Sequence, residues 1–171
     1  FITGDERIGE QFLAIKHDIL KRCRSKQHFY RDCYDMLSRI RAERITYKKG
    51  IFSAKLISGG LMELEYIINV LFLYNLSENP SWSEHDYNTK VKLLSQKYSS
   101  WIDDLNQTLQ FLRKLQVNVR FYGSENTHLL DLPQWIQSRL CLEFTVLSIE
   151  ELAQSFNFHC TQTLTLIDHF F

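Results

Sequence analysis

The sequence predicts an all-α protein, a bundle of six or seven helices around one central apolar helix. Apolar residues recur at three- and four-residue steps over most of the 171 residues. One segment, from about residue 60 to residue 76, is apolar on nearly every side, as a helix in the middle of a bundle is. Caps and breakers, among them Asn79-Pro80, Gly123 and Ser148, punctuate the periodic segments. A chain of this length fits a single domain, 1–171, that buries about two thirds of the surface its unfolded form exposes.

Each element has its own signal. Gly4-Asp5 precedes a helix whose apolar side carries Ile8, Phe12, Ile15, Ile19 and Leu20 and which ends near Cys23, with Asp5 as its cap. A second helix, 28 to 45, sets Phe29, Cys33, Met36, Leu37 and Ile40 on one side, and its C-terminal half is basic. Lys48-Lys49-Gly50 breaks the pattern, and "IFSAKLIS" reads as an ordered, extended linker. The central apolar helix follows and stops at Asn79-Pro80. A short helix from 87 to 97 leads to a long one from 100 to 121, with Trp101, Leu105, Leu109, Leu112, Leu115 and Val119, closed by Gly123. Asp131-Leu132-Pro133 reads as a cap and early proline opening a helix through Trp135, Ile136, Leu140 and Phe144. Ser148-Ile149-Glu150-Glu151 is a capping box for the last helix.

Composition excludes several classes of function. Twenty basic and twenty acidic residues leave no net charge, which argues against electrostatic capture of nucleic acid or an anionic membrane. The longest apolar run, Leu64 to Leu76, is broken by Glu65, Asn69 and Asn75 and is too short for a membrane span. The chain opens at Phe1 with no charged-then-apolar leader and reads as an excised, soluble fragment. Cys23, Cys33, Cys141 and Cys160 lack C-x-x-C spacing and read as reduced thiols. The six histidines form no metal-binding pair, so no metal site is expected.

The central helix nevertheless carries Glu63 and Glu65. At about 100° per residue the two project about 200° apart, so they cannot share one metal ion. Glu65 lies on a face with Leu61, Leu64, Ile68 and Phe72, where an unpaired carboxylate is costly. It is therefore expected in a structural ion pair with Lys55 or with an arginine among Arg39, Arg41 and Arg44. Glu63, nearer the N-terminus, is expected to face a cleft that belongs to something outside this chain.

The stretch "FSAKLISGGLMELEYIINVLFL" resembles the signature D-L-K-x-x-x-G-G-[IL]-x-D-[IVL]-E-F-[IVL]-x-Q of glutamine synthetase adenylyltransferases. Lys55, Gly59, Gly60, Leu61, Leu64, Glu65 and Ile67 match it directly. Tyr66 stands for phenylalanine, Glu63 for aspartate and Asn69 for glutamine, while Ser53 replaces an acidic residue. "ITGDERIGEQFLAIKHDIL" and "SRIRAER" resemble the family's preceding helices, so the likeness covers the first 76 residues well.

The resemblance implies a helical domain that follows a nucleotidyltransferase domain. Leu61 after the glycine pair and a natural end at Phe171 point to the second, adenylylating half of a bacterial, cytoplasmic enzyme. The family's Gly-Ser turn and D-x-D carboxylates are absent from these residues, so no catalytic residue and no bound cofactor are expected here. ATP and magnesium are implied for the parent. The implied partners are its own nucleotidyltransferase domain, glutamine synthetase and a PII-type signalling protein.

Lys55, Gly59, Gly60 and Glu63 are the motif residues expected to face the active site. Gly59-Gly60 more often permits close packing of two segments, and would otherwise expose helix N-terminal N–H groups to a carboxylate or phosphate, with Lys55 able to reach a phosphate or to neutralise Glu65. Two alternatives remain from the sequence: a free-standing helical interaction module, and the helical part of a related uridylyltransferase.

Overall fold

A computed structural model describes residues 5–21, 26–46, 53–76, 78–98, 102–123 and 127–171. Among them are seven α-helices, two short 3-10 turns and no strand. The chain is an all-α bundle. Its helices are α1 (Glu6–Lys21), α2 (Lys26–Thr46), α3 (Leu61–Leu76), α4 (Tyr87–Lys97), α5 (Ile102–Phe121), α6 (Gln134–Phe144) and α7 (Ile149–Phe170). The 3-10 turns are Pro80–Glu84 and Leu129–Asp131. Gly4, Cys23, Lys48 to Phe52 and Trp101, and the side chains of Leu20 and Arg44, lie outside the described residues.

Helix α3 is the central element, with ten of its sixteen residues buried. Leu64, Ile67 and Leu71 are completely sealed. α2, α4, α5 and α7 all pack on it, and α5 in turn packs on α7. Buried leucines from α5 (Leu105, Leu109, Leu112, Leu115) meet Leu152, Phe156, Leu166 and Ile167 of α7 in one continuous core. A helix apolar on all sides has no solvent-tolerant face, so surrounding it with amphipathic helices hides the most apolar area.

Several local signals act as their chemistry dictates. Asp5 Oδ1 accepts the Arg7 backbone N–H at 2.9 Å, opening α1. Asp86 Oδ1 accepts the N–H groups of Asn88 and Thr89 and so caps α4. The Thr89 hydroxyl donates to the same carboxyl, and that bond leads the causes holding Asp86 below the usual carboxylate range. Gly123, at φ +66°, ends α5 with its N–H on the Arg120 carbonyl. Ser148 Oγ accepts the Glu151 N–H, while Glu151 reaches back to the Leu147 N–H rather than to Ser148 itself.

Two expectations are corrected, and the structure decides the burial of α1, which the sequence left open. Asp131 does not cap α6: it belongs to the 3-10 turn, and Pro133 provides the first helical carbonyl, accepting from Ile136 and Gln137. The segment before α3 is not extended: residues 53–60 form a compact hydrogen-bonded turn. The apolar stripe of α1 is not buried, since Ile8, Phe12, Ile15 and Ile19 are each more than half exposed. α1 instead turns Gly9 inward and ties Lys16 Nζ to the Ser83 carbonyl at 3.0 Å.

Candidate functional site

The turn before α3 is the most tightly determined backbone feature near the glycine pair. Ser53 begins it, its carbonyl accepting the N–H groups of Leu56 and Ile57 and its Oγ accepting Leu56 N–H at 3.3 Å. A hydroxyl thereby takes a capping role open to the acidic residue of the resembled pattern. Gly60 N–H then meets the Ile57 carbonyl, Leu61 N–H that of Ala54, and Met62 N–H that of Lys55. Gly59 has φ +74°, and a Cβ there would lie 2.2 Å from the Cys160 carbonyl oxygen on α7. At Gly60 a Cβ would come within 2.8 Å of the Ala54 and Ile57 carbonyl oxygens. Both glycines are required by close backbone approach, and Gly59 also by its left-handed conformation.

Glu63 locks this turn from inside. One carboxylate oxygen accepts Arg41 Nε at 3.1 Å, and the other accepts Arg41 Nη2 at 2.8 Å and Gly59 N–H at 3.0 Å. Its side chain is 1% exposed, against 31% for Arg41. The bidentate geometry and the third hydrogen bond are what a buried carboxylate needs to offset its desolvation. α2, the turn and α3 are thus tied at one point, with α7 pressed against it through Cys160. Burial, followed by the nearby Glu63, pushes the Cys160 thiol up to about 12. Cys141 and Cys160 are free thiols.

This arrangement revises the assignment of the motif residues. Glu63 faces inward, not toward an outside cleft, because α2 supplies a guanidinium directly above it. The α3 N-terminal N–H groups are not open to a phosphate: those of Leu61 and Met62 meet the Ala54 and Lys55 carbonyls, those of Glu63 and Leu64 meet the Gly60 carbonyl, and the Gly59 N–H of the turn is taken by Glu63. Lys55 neutralises neither glutamate. It stands exposed on the outer rim of the turn beside Leu56, Ile57 and Ser58, with no side-chain partner among the described residues.

Glu65 is ion-paired, but with a residue far along the chain. Its Oε1 accepts Arg113 Nε at 3.2 Å and Nη2 at 2.7 Å, from α5 rather than from Lys55 or α2. Both side chains are about one-third exposed, so Glu65 is less buried than its helical face suggests. The Arg113 guanidinium lies 4.6 Å above the Tyr87 ring, whose buried Oη has no hydrogen-bond partner among the described residues. Burial and then Glu65 raise the Tyr87 phenol above its usual range. Tyr66, in the phenylalanine position of the pattern, donates its hydroxyl to the Cys33 carbonyl at 2.8 Å and pins α2 to α3.

Arg113 and Cys160 carried no signal in the sequence, because each meets the motif only through tertiary packing. Glu63 points to α2 and Glu65 to α5, and no group of three His, Cys, Asp or Glu among the described residues could hold a metal ion. No described helix is long and apolar enough to cross a membrane.

A helical unit with one rigid, internally satisfied glycine turn is the class of structure the geometry defines. No family model matches the chain, and no solved structure matches it. Part of it is similar to bifunctional glutamine synthetase adenylyltransferase/adenylyl-removing enzymes. It is 27% identical to the Shewanella loihica protein over 88 residues, which are 50% of this chain and 9% of that protein. Against the Shewanella oneidensis protein the figure is 25% over 129 residues, 67% of this chain and 13% of the relative. Against that of Methylococcus capsulatus it is 29% over 68 residues, 40% and 7%. The matched stretch is about a tenth of the length of these relatives.

Proposed function

We propose that this chain is a non-catalytic helical domain of a glutamine synthetase adenylyltransferase/adenylyl-removing enzyme, the C-terminal one of the adenylylating half. The observation that supports the reading is the segment from Lys55 to Asn69, which joins the matched glycine pair to the Arg41–Glu63 lock. In this role the domain holds its own nucleotidyltransferase domain in position, and that domain uses ATP and magnesium in the cytoplasm. Glutamine synthetase and a PII-type signalling protein are the partners of the whole enzyme. Lys55, on the outer rim of a turn that cannot easily deform, is the motif residue presented outward, whereas Gly59, Gly60 and Glu63 build the turn. Glu65 is structural.

The test is an incubation of the purified chain with glutamine synthetase, labelled ATP and magnesium, beside the full-length parent. AMP incorporation is expected with the parent and none above a no-protein control with the chain alone. Magnesium-dependent incorporation by the chain alone would end the non-catalytic assignment. A parent that transfers no AMP would end the adenylyltransferase one.

A further inference from the structure

His159 lies on the seam between α5 and α7. Its Nδ1 is 2.8 Å from the hydroxyl oxygen of Thr108, a residue 1% exposed. The ring leans on Phe111 at 4.3 Å between centroids and meets the edge of Phe158 at 5.5 Å. Phe111 in turn packs on Phe144 of α6, so three helices converge here.

The hydrogen-bond inventory selects a tautomer. If Nδ1 carried the proton, Thr108 would accept it, and the threonine's own buried hydroxyl hydrogen would have no described acceptor. With the proton on Nε2, Thr108 donates to Nδ1 and both groups are satisfied. Protonating the imidazole makes Nδ1 a donor: the Thr108 oxygen then accepts, the threonine's buried hydroxyl hydrogen is left without a described acceptor, and the cation sits in a half-buried seam.

The charged groups on the surrounding elements do not offset this. Asp104 and Lys114 are on α5, Glu143 on α6, His128 and Asp131 at the second 3-10 turn, and Glu63 on α3. Lys114 is engaged with the Glu143 carbonyl and the Phe144 ring, and Glu63 with Arg41 and Gly59. Burial is the cause that lowers His159 from its ordinary value.

The next residue, Cys160, is the one whose carbonyl abuts Gly59. We infer that His159 and Thr108 form a proton-operated latch on the α5–α7 seam, closed while His159 is neutral, which holds the part of α7 that the glycine turn rests on. A base with a depressed folded-state pKa contributes stability that is complete above its unfolded pKa. That stability is lost as pH falls below it toward the folded value, so the latch loosens on acidification below about 6.5.

Nitrogen NMR of the labelled chain across pH 5 to 8 reads both the tautomer and the titration. Expected are an Nε2–H tautomer and a Gly59 amide shift with the same midpoint as His159. An Nδ1–H tautomer overturns the hydrogen-bond assignment, and a Gly59 amide that ignores the His159 titration overturns the coupling. Thr108→Val is expected to raise the His159 midpoint, because it removes a donor that favours the neutral ring; a lowered or unchanged midpoint refutes the latch. His159→Gln is expected to shrink the loss of Tm between pH 7.5 and 5.5 by about 2 °C or more. An unaltered loss refutes the latch as well, and the wild-type spectra decide the matter if either variant fails to fold.

Discussion

Helix α1 lines up Ile8, Phe12, Ile15 and Ile19 on one stripe and leaves each more than half exposed. Helix α3 has no continuous polar face and buries ten of its sixteen residues. The amphipathic pattern of α1 states that the helix has a side suited to burial, but not that this chain supplies the cover. For α3 no such freedom exists. A helix apolar all round must be enclosed, so its position in the bundle follows from its composition.

The largest effect that sharpens this contrast is expected at Leu71, which is fully buried in α3. Leu71→Ala should cost about 4 kcal/mol, through lost apolar transfer and the cavity left in a core hemmed in on all sides. Chemical denaturation measures this directly, and a cost under about 1 kcal/mol would mean that α3 is not enclosed as described.

Next comes the turn that introduces α3. Gly59→Ala should cost about 3 kcal/mol or more, because it combines a left-handed backbone with a clash against the fixed Cys160 carbonyl. Glu63→Ala should cost a similar amount, about 3 kcal/mol, by stranding Arg41 and the Gly59 N–H. Thermal melts of the two variants, each set beside wild type, test both figures.

Glu65→Ala separates the two glutamates of the same helix. Its pair with Arg113 is about one-third exposed on both sides, so a loss of about 1 kcal/mol or less is expected. A Glu65 variant as damaging as the Glu63 variant would show that solvent does not screen this pair. The smallest effect is expected in α1, where Phe12→Ala should change stability by about 0.5 kcal/mol or less. A loss of several kcal/mol at Phe12 would break the contrast outright, since it would require the stripe to be covered in solution.

Much of the fold was legible because its signals are local. The limits of α4, the Gly123 stop of α5 and the Ser148 cap depend on residues a turn or less apart, where hydrogen-bond geometry leaves few options. Pro133 and Asp131 show where locality misleads. A preceding 3-10 turn moved the cap role from the aspartate side chain to the proline carbonyl, and nothing in three residues reveals that.

The candidate site divides in the same way. The glycine pair, its spacing to Lys55 and the opposed directions of Glu63 and Glu65 follow from the order of residues along one helix, because 100° per residue fixes relative orientation. Which carboxylate is sealed and which is screened does not follow. That was decided when α2 placed Arg41 over Glu63, α5 brought Arg113 to Glu65 from 48 residues away, and α7 set the Cys160 carbonyl against Gly59. A helix specifies the angle between its own side chains by its covalent geometry. The solvent, charge and backbone each one meets are contributed by neighbours that only the packed chain assembles.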